Sequence, residues 1–265
     1  MTEFEKISFM QCCHVMKEYT VCMISYIHLD IDKYLEILNS NNVEYRLFFF
    51  DKRIFDSVKS YNHLMMSVEF YINFIQFEYI LIYQLDCFVF RDDLLSWINY
   101  DYSYIGAPWV EGYDLSKYGN PVIGVGNGGF SLRRVEDHLK VLLLFNCKKC
   151  FNIRTNLSFF AFVSIIVFLL KNSFFILRQK IKNSNFSLEN YNGNEDIFWS
   201  EIAGKQFCWF KIPNWKIAAQ FAVEVQPRYF FELNNQLLPF GCHAWWRYDL
   251  DFWKPHIEKF GYHFK

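Results

Sequence analysis

The chain has 265 residues and a formal net charge of −1, and 52% of its residues are hydrophobic. This length can bury a sizeable core, and so apolar a composition excludes disorder of the chain as a whole. Acidic and basic residues nearly cancel, which excludes a broadly cationic surface, and no nucleic-acid partner is expected.

The first 16 residues lack the basic start and apolar core of a secretory signal, so a cytoplasmic location is expected. The eight cysteines are accordingly interpreted as reduced thiols that mostly fill the core. Cys147 and Cys150 have the spacing of half a zinc site or of a redox pair. No second pair of metal-binding residues follows closely, which favours a structural role.

Helical and strand patterns alternate along the first third of the chain. Residues 2–16 predict an amphipathic helix, capped by Thr2 with Glu5 three residues later. Strands are predicted at 19–27, 43–50 and 78–85, and helices at 30–39 and 61–76. The strand at 78–85 is continuously apolar, which is typical of a parallel strand buried on both faces. The order predicts a βαβ series and an α/β fold with one central mixed, mostly parallel sheet flanked by helices.

The rest of the chain is less regular. A short strand is predicted at 101–109, a glycine-rich stretch with a strand at 122–133, and a helix at 135–145. Residues 157–170 are uncharged but shorter than the roughly 20 residues that span a bilayer, so 157–177 predicts a packed or interfacial helix. The basic residues that follow would suit an anionic lipid surface, which makes 157–182 a candidate for peripheral membrane contact: Arg178, Lys180 and Lys182. Without repeats or linkers, 1–265 is predicted to form one domain.

Asp86 stands just after the apolar strand at 78–85, and Gln84 lies two positions before it. In parallel sheets, ligands bind beyond the carboxyl ends of the strands. A carboxylate in an apolar run needs a partner, and a divalent cation would supply one. The alternative is that Asp86 only stabilises the turn before a helix that Asp92 and Asp93 open.

Three further places carry candidate chemistry. In the run 126–133, glycines allow close approach of the backbone to a ligand and Asn127 offers a donor and an acceptor, although a plain hairpin turn has the same sequence. Glu195 and Asp196 would by themselves be read as a charged first turn favoured by the helix dipole. His243 stands beside aromatic residues, where a histidine is usually packed. Three tryptophans could stack on a ligand, although core packing is favoured for each: Trp109, Trp245 and Trp246.

Four segments in this order resemble a family of bacterial and fungal glycosyltransferase-like proteins of polysaccharide synthesis that have the GT-A fold: 83–90, 104–109, 126–133 and 194–199. The resemblance covers roughly residues 2–250. It implies a nucleotide-sugar donor and a divalent cation, Mn²⁺ or Mg²⁺. The halves 1–133 and 134–265 would bind donor and acceptor respectively.

The resemblance also implies roles for single residues. The usual metal motif is Asp-any-Asp, in which Asp86 matches the second carboxylate and Gln84 stands in place of the first. A neutral amide can coordinate a cation but does not neutralise its charge, so the departure weakens the case for tight metal binding. Asp86 would bind the cation with His243, and Asp196 would activate the acceptor hydroxyl, with Glu195 as the competing candidate. The remaining residues would contact donor or acceptor: Gln84, Trp109, Asn127, Gly128, Gly129 and Trp245.

The family's fold usually begins with a strand that contacts the nucleotide base, whereas this sequence begins with a predicted helix. The first strand of the sheet is therefore expected to be missing. The expected function is transfer of a sugar to a surface polysaccharide or glycolipid precursor, with a saccharide or lipid-linked saccharide as acceptor, at or near the inner face of the plasma membrane. The alternatives are a catalytically inactive relic or binding module, and a membrane-surface scaffold.

Overall fold

A computed structural model of the chain describes residues 1–113, 117–145, 159–180, 188 and 191–264. Cys147 and Cys150, whose spacing suggested a metal or redox pair, lie outside the described residues. Six other cysteines are free thiols: Cys12, Cys13, Cys22, Cys87, Cys208 and Cys242.

The first helix, α1 (Glu3–Val15), has the predicted capping box. Thr2 Oγ1 accepts a hydrogen bond from the backbone N–H of Glu5, and the Glu5 carboxylate accepts one from the N–H of Thr2 at 2.6 Å. These two bonds satisfy donors that the first turn of a helix leaves free, so the start of the helix is fixed by local sequence.

One βαβ unit follows, as the alternation predicted. Strands β1 (Val21–Ser25) and β2 (Tyr45–Phe49) are parallel, and helix α2 (Asp32–Ser40) connects them. The predicted helix at 61–76 is instead two helices, α3 (Val58–Met65) and α4 (Val68–Ile72). Ser67 separates them, because its hydroxyl donates to Leu64 O and accepts from Phe70 N–H, which ends one helix and caps the next.

The prediction of one central, mostly parallel sheet is wrong. The third strand, β3 (Tyr79–Tyr83), is antiparallel to β8 (Phe130–Arg134), which also pairs with β5 (Tyr104–Ile105). All five residues of β3 are half-buried rather than fully buried. Four small sheets of two or three strands stand in place of the expected one in the described part of the chain. Among the residues that the structure describes, there is thus no central sheet from which a first strand could be missing.

The other two sheets bring the middle and the end of the chain together. Strand β6 (Ala107–Val110) is antiparallel to β7 (Val122–Gly126). Strand β10 (Gly241–Cys242) lies between β4 (Phe88–Val89) and β9 (Ala222–Val223), antiparallel to the first and parallel to the second. The remaining helices are α5 (Leu94–Asn99), α6 (Val135–Leu144), α7 (Phe159–Lys180), α8 (Glu195–Ile197), α9 (Gly204–Gln206), α10 (Trp215–Phe221), α11 (Pro227–Leu233) and α12 (Leu250–Glu258), with a 3₁₀ turn at Lys52–Phe55 and a π-helical turn at Phe198–Ala203.

The apolar stretch predicted at 157–177 corresponds to α7. One side of this helix packs on the largest core cluster through Ile165, Phe168, Phe175 and Ile176. None of the helices in the described part of the chain combines the length and hydropathy that a membrane crossing requires.

Candidate metal centre and active site

Strand pairing brings three distant segments to one point. The register of β3 with β8 places Tyr83 opposite Phe130, so Gln84 N–H donates to Gly129 O at 2.9 Å. The pairing of β10 with β4 sets Cys242 opposite Phe88. His243 therefore follows directly beside the turn that contains Asp86, and the backbone N–H of Trp245 donates to Asp86 O.

His243 lies between two carboxylates. Its Nδ1 donates to Glu224 Oε1 at 2.8 Å, which assigns the proton on that nitrogen, because a carboxylate only accepts. Its Nε2 lies 3.2 Å from Asp86 Oδ1 and 3.3 Å from Gln84 Oε1. Burial alone would lower the pKa of His243, but the contacts with Asp86 and Glu224 outweigh it and raise that pKa to about 9.

Gln84 is oriented by Tyr61. The amide Nε2 of Gln84 donates to the Tyr61 hydroxyl at 3.0 Å, so the amide oxygen faces His243 Nε2. This orientation places an oxygen ligand where the resemblance would have put a carboxylate.

The glycines of the β7–β8 turn make room for protein side chains. A Cβ at Gly129 would lie 2.1 Å from His243 Nε2, and one at Gly128 would lie 2.2 Å from Glu195 Oε1. Asn127 adopts a positive φ of 93° and holds the turn, because its Oδ1 accepts from the N–H groups of Gly129 and Phe130. Its Nδ2 also donates to Glu224 Oε2 at 2.9 Å. Asn127 thus links the turn to the carboxylate that orients His243.

The two acidic residues after Asn194 have different surroundings. Glu195 is buried and forms an ion pair with the buried Arg133, with 2.8 Å between Oε1 and the guanidinium. Asp196 is half-buried, and its Oδ2 accepts from the backbone N–H of Asn127 at 3.1 Å. Burial raises the pKa of Asp196, although bonds from Asn127 and Ile197 N–H oppose the rise. Gln84, Asp86, Glu224 and His243 form what we call the His243 cluster. Asp196, rather than Glu195, adjoins it through Asn127, and the Asp196 carboxylate forms no ion pair with any residue that the structure describes.

Neither Trp109 nor Trp245 offers an exposed ring on which a sugar could stack in this cluster. Trp245 is fully buried, and its indole N–H donates to Ser8 Oγ at 2.9 Å. Trp109 is half-buried and lies across β7, where a Cβ at Gly126 would be 1.8 Å from its ring. Both side chains pack against protein.

Sequence reasoning missed Glu224, Tyr113 and Tyr61. Glu224 is buried and accepts from His243, Asn127 and the Tyr113 hydroxyl. Burial and the neighbouring Glu224 raise the pKa of Tyr113, so it stays a protonated donor. A signal for Glu224 exists in the sequence, since it is the one charge in the apolar run 221–225 and a buried charge needs a partner.

The cluster is suited to a divalent cation. Asp86 Oδ1, Cys87 Sγ and His243 Nε2 lie within 4.8 Å of one another. Asp86 Oδ1 is buried, and in the described part of the chain it accepts no hydrogen bond unless His243 Nε2, 3.2 Å away, carries a proton. With a neutral His243, this carboxylate oxygen would need another partner such as a cation. Burial raises the pKa of the Cys87 thiol, which donates to Gly129 O and is thereby disfavoured as a thiolate ligand. The donor set is then two oxygens and one imidazole nitrogen, which suits Mn²⁺ better than Mg²⁺.

A separate open groove lies elsewhere on the surface. Its volume is ≈ 670 Å³, and its lining includes residues 122–125 of β7, Ser200 and Lys211. Asp86, Asn127 and His243 do not line it. The groove therefore runs along β7 before the turn that carries the cluster.

Residues 44–243 match a family described as "Protein of unknown function (DUF5672)", and this range contains every residue of the His243 cluster. The match covers well over half of the chain. Neither a curated protein nor a solved structure matches the chain.

Proposed function

We propose that this chain, which belongs to the DUF5672 family, is a glycosyltransferase that moves a sugar from a nucleotide-sugar donor to a saccharide or lipid-linked saccharide acceptor. The observation that carries the proposal is the convergence of three ligand atoms at one point, the buried Asp86 Oδ1 with His243 Nε2 at 3.2 Å from it, and Gln84 Oε1 at 3.3 Å from the same nitrogen. Such a convergence of ligand atoms in a polar cluster is a common basis for catalysis. The proposed setting is the cytoplasm, at the inner face of the membrane that carries the acceptor.

Asp86, Gln84 and His243 would hold the cation, with Mn²⁺ favoured over Mg²⁺. When bound, the cation would neutralise charge on the donor's diphosphate and so stabilise the leaving group. Glu224 fixes the tautomer of His243 by accepting the Nδ1 proton, which leaves Nε2 free as a ligand. Tyr61 turns the Gln84 oxygen toward the same point.

Asp196 is the proposed base for the acceptor hydroxyl. Its raised pKa brings it nearer to neutral pH, where a carboxylate base is more effective. The backbone N–H of Asn127 holds its Oδ2, so the carboxylate is positioned by the same turn that supports Glu224. Glu195 is assigned a structural part, because its charge is balanced by Arg133.

The test is thermal unfolding with UDP-, GDP-, CMP- and dTDP-sugars, each with and without Mn²⁺. We expect one nucleotide to stabilise the protein only with Mn²⁺, by about 2.7 kcal/mol at a hundred times its Kd. Asp86→Asn should abolish this stabilisation. Asp56→Asn, a change of the same chemistry at an exposed residue, should retain it.

A second candidate function, a non-catalytic binding module, is favoured by the raised pKa of His243. At neutral pH an imidazolium would satisfy Asp86 and Glu224 without any cation. The binding module would be favoured over the enzyme if the protein unfolds cooperatively and none of the four nucleotide-sugars stabilises it in the presence of Mn²⁺.

A further inference from the structure

Helix α7 carries an exposed apolar stripe. Val163, Val167, Leu170 and Phe174 follow one another at spacings of four, three and four residues, which places them on one face. Their exposed fractions are 40%, 57%, 73% and 76%. A contiguous exposed apolar patch of this kind marks an interaction site rather than an ordinary surface.

The opposite face of α7 is fixed on the protein. Ile165, Phe168 and Phe175 pack on the core, and Asn172 is buried with its amide donating to Phe168 O. The stripe is therefore held outward by the packing beneath it. An exposed apolar stripe on a helix whose other side is packed is a candidate for contact with a second apolar surface.

The charge of this part of the chain identifies the partner. Residues 138–188 contain eight Lys or Arg and no Asp or Glu. Because the whole chain has a formal net charge of −1, the remainder has a net charge of −9. The positive charge is thus segregated along the sequence, and three of these residues lie on α7 itself: Lys171, Arg178 and Lys180. Lys171 also lies 3.4 Å from Glu136. The helix carries no acidic residue.

We propose that α7 is a peripheral membrane-docking helix that lies in the interface of an anionic bilayer with its stripe toward the acyl chains. An apolar face combined with basic residues and no acidic ones is the composition of interfacial helices. Each Lys or Arg close to an anionic leaflet adds to the attraction, and acidic residues would oppose it. This inference uses no residue of the His243 cluster and stands independently of the proposed enzymatic activity.

The experiment is flotation of the full chain with vesicles, without nucleotide or metal. Wild type should float with vesicles containing equal phosphatidylcholine and phosphatidylglycerol, and much less with pure phosphatidylcholine. Leu170→Glu and Phe174→Glu should each weaken binding about tenfold or more, because each removes one apolar side chain from the lipid and adds a negative charge. Leu237→Glu, at a residue that is 68% exposed in another part of the surface, should bind as wild type does.

Light scattering after size-exclusion chromatography completes the test. A wild-type dimer that Leu170→Glu converts to monomer, with no flotation of wild type, would show that a second copy covers the stripe and would overturn the proposal. Equal binding to both kinds of vesicle, or unchanged binding by both α7 variants, would also overturn it. The proposal would also be overturned if wild type is folded and monomeric but does not float with the anionic vesicles at low salt.

Discussion

The ring of His243 lies directly against the backbone of residue 129, and only glycine fits there. A methyl group at this position would be 2.1 Å from Nε2, well inside any allowed contact. His243 is held from its other nitrogen by Glu224, so it cannot move away without breaking that bond. The position of His243 Nε2, the proposed ligand atom, therefore depends on residue 129 having no side chain.

We expect Gly129→Ala to abolish stabilisation by Mn²⁺, measured as the change in thermal unfolding on adding the metal alone. Overpacking at such a site also costs about 1–3 kcal/mol of folding free energy. Gly261→Ala is the control, because it adds the same methyl group in open space at a positive φ. Gly261→Ala should be destabilised but should still be stabilised by Mn²⁺. If Gly129→Ala were also stabilised by Mn²⁺, His243 would be contradicted as a metal ligand.

Single residues of the site were recognisable where their type was unusual for their surroundings. Asp86 and His243 stand out in apolar or aromatic runs, and the structure places them side by side. The role of Gly129 was predicted differently, as space for a ligand, because a sequence does not show what approaches a glycine. Glu224 was missed because no motif surrounds it.

At the scale of secondary-structure elements, the buried ion pair of Arg133 and Glu195 connects β8 to α8. Arg133 and Glu195 are almost completely enclosed, and Arg133 donates also to the Tyr71 hydroxyl of α4. A buried pair contributes little net stability as a pair, but removing one partner leaves the other charge uncompensated. We therefore expect the pair to act mainly by making other arrangements of these elements unfavourable.

Glu195→Gln should lower the free energy of unfolding by about 3–5 kcal/mol, measured by urea denaturation. The double variant Arg133→Met/Glu195→Leu should recover most of this loss, because it buries no charge. Glu201→Gln provides the control, since that residue pairs with Lys205 near the surface and should cost under about 1 kcal/mol. A single variant Glu195→Gln as stable as wild type would show that Arg133 is not buried as described.

The elements themselves were largely predictable, and their partners were not. The helix at 2–16 and the strands at 19–27 and 43–50 follow from local caps and apolar periodicity. The run at 78–85 predicts a strand but does not encode whether its neighbour is parallel. In the fold that neighbour is β8, about fifty residues later and antiparallel, and the predicted sheet fails at this point.

At the scale of the whole molecule, His138 is fully buried against aromatic residues of the largest core cluster. It contacts the rings of Tyr71, Trp199 and Phe210, and its Nδ1 donates to Arg134 O at 2.8 Å. Its Nε2 is buried without a hydrogen-bond partner in the described part of the chain. Burial, assisted by Arg133, lowers the pKa of His138 well below 6.5, so the folded protein holds it neutral.

The unfolded chain can bind a proton at His138 below about pH 6.5, whereas the folded protein does not. The contribution of His138 to the free energy of unfolding is therefore fully present above that pH. It is lost as the pH drops further, by up to about 1.4 kcal/mol per pH unit. We expect the free energy of unfolding of His138→Phe, measured by guanidinium denaturation, to fall less than that of wild type when the pH is lowered from 7.5 to 5.5. The difference between the two unfolding free energies at pH 7.5 reports the change in packing alone. If the two unfolding free energies fall in parallel with pH, the prediction is refuted.

The proposed ligands are far apart along the chain, with 159 positions between Gln84 and His243. A ribosome that adds about 5–20 residues per second needs roughly 10–30 s to pass from one to the other. During that interval a nascent chain displays Asp86 without the imidazole that completes the donor set. If the centre binds a cation as proposed, capture would follow the pairing of β10 with β4, and loading would be a late event in the life of each new molecule.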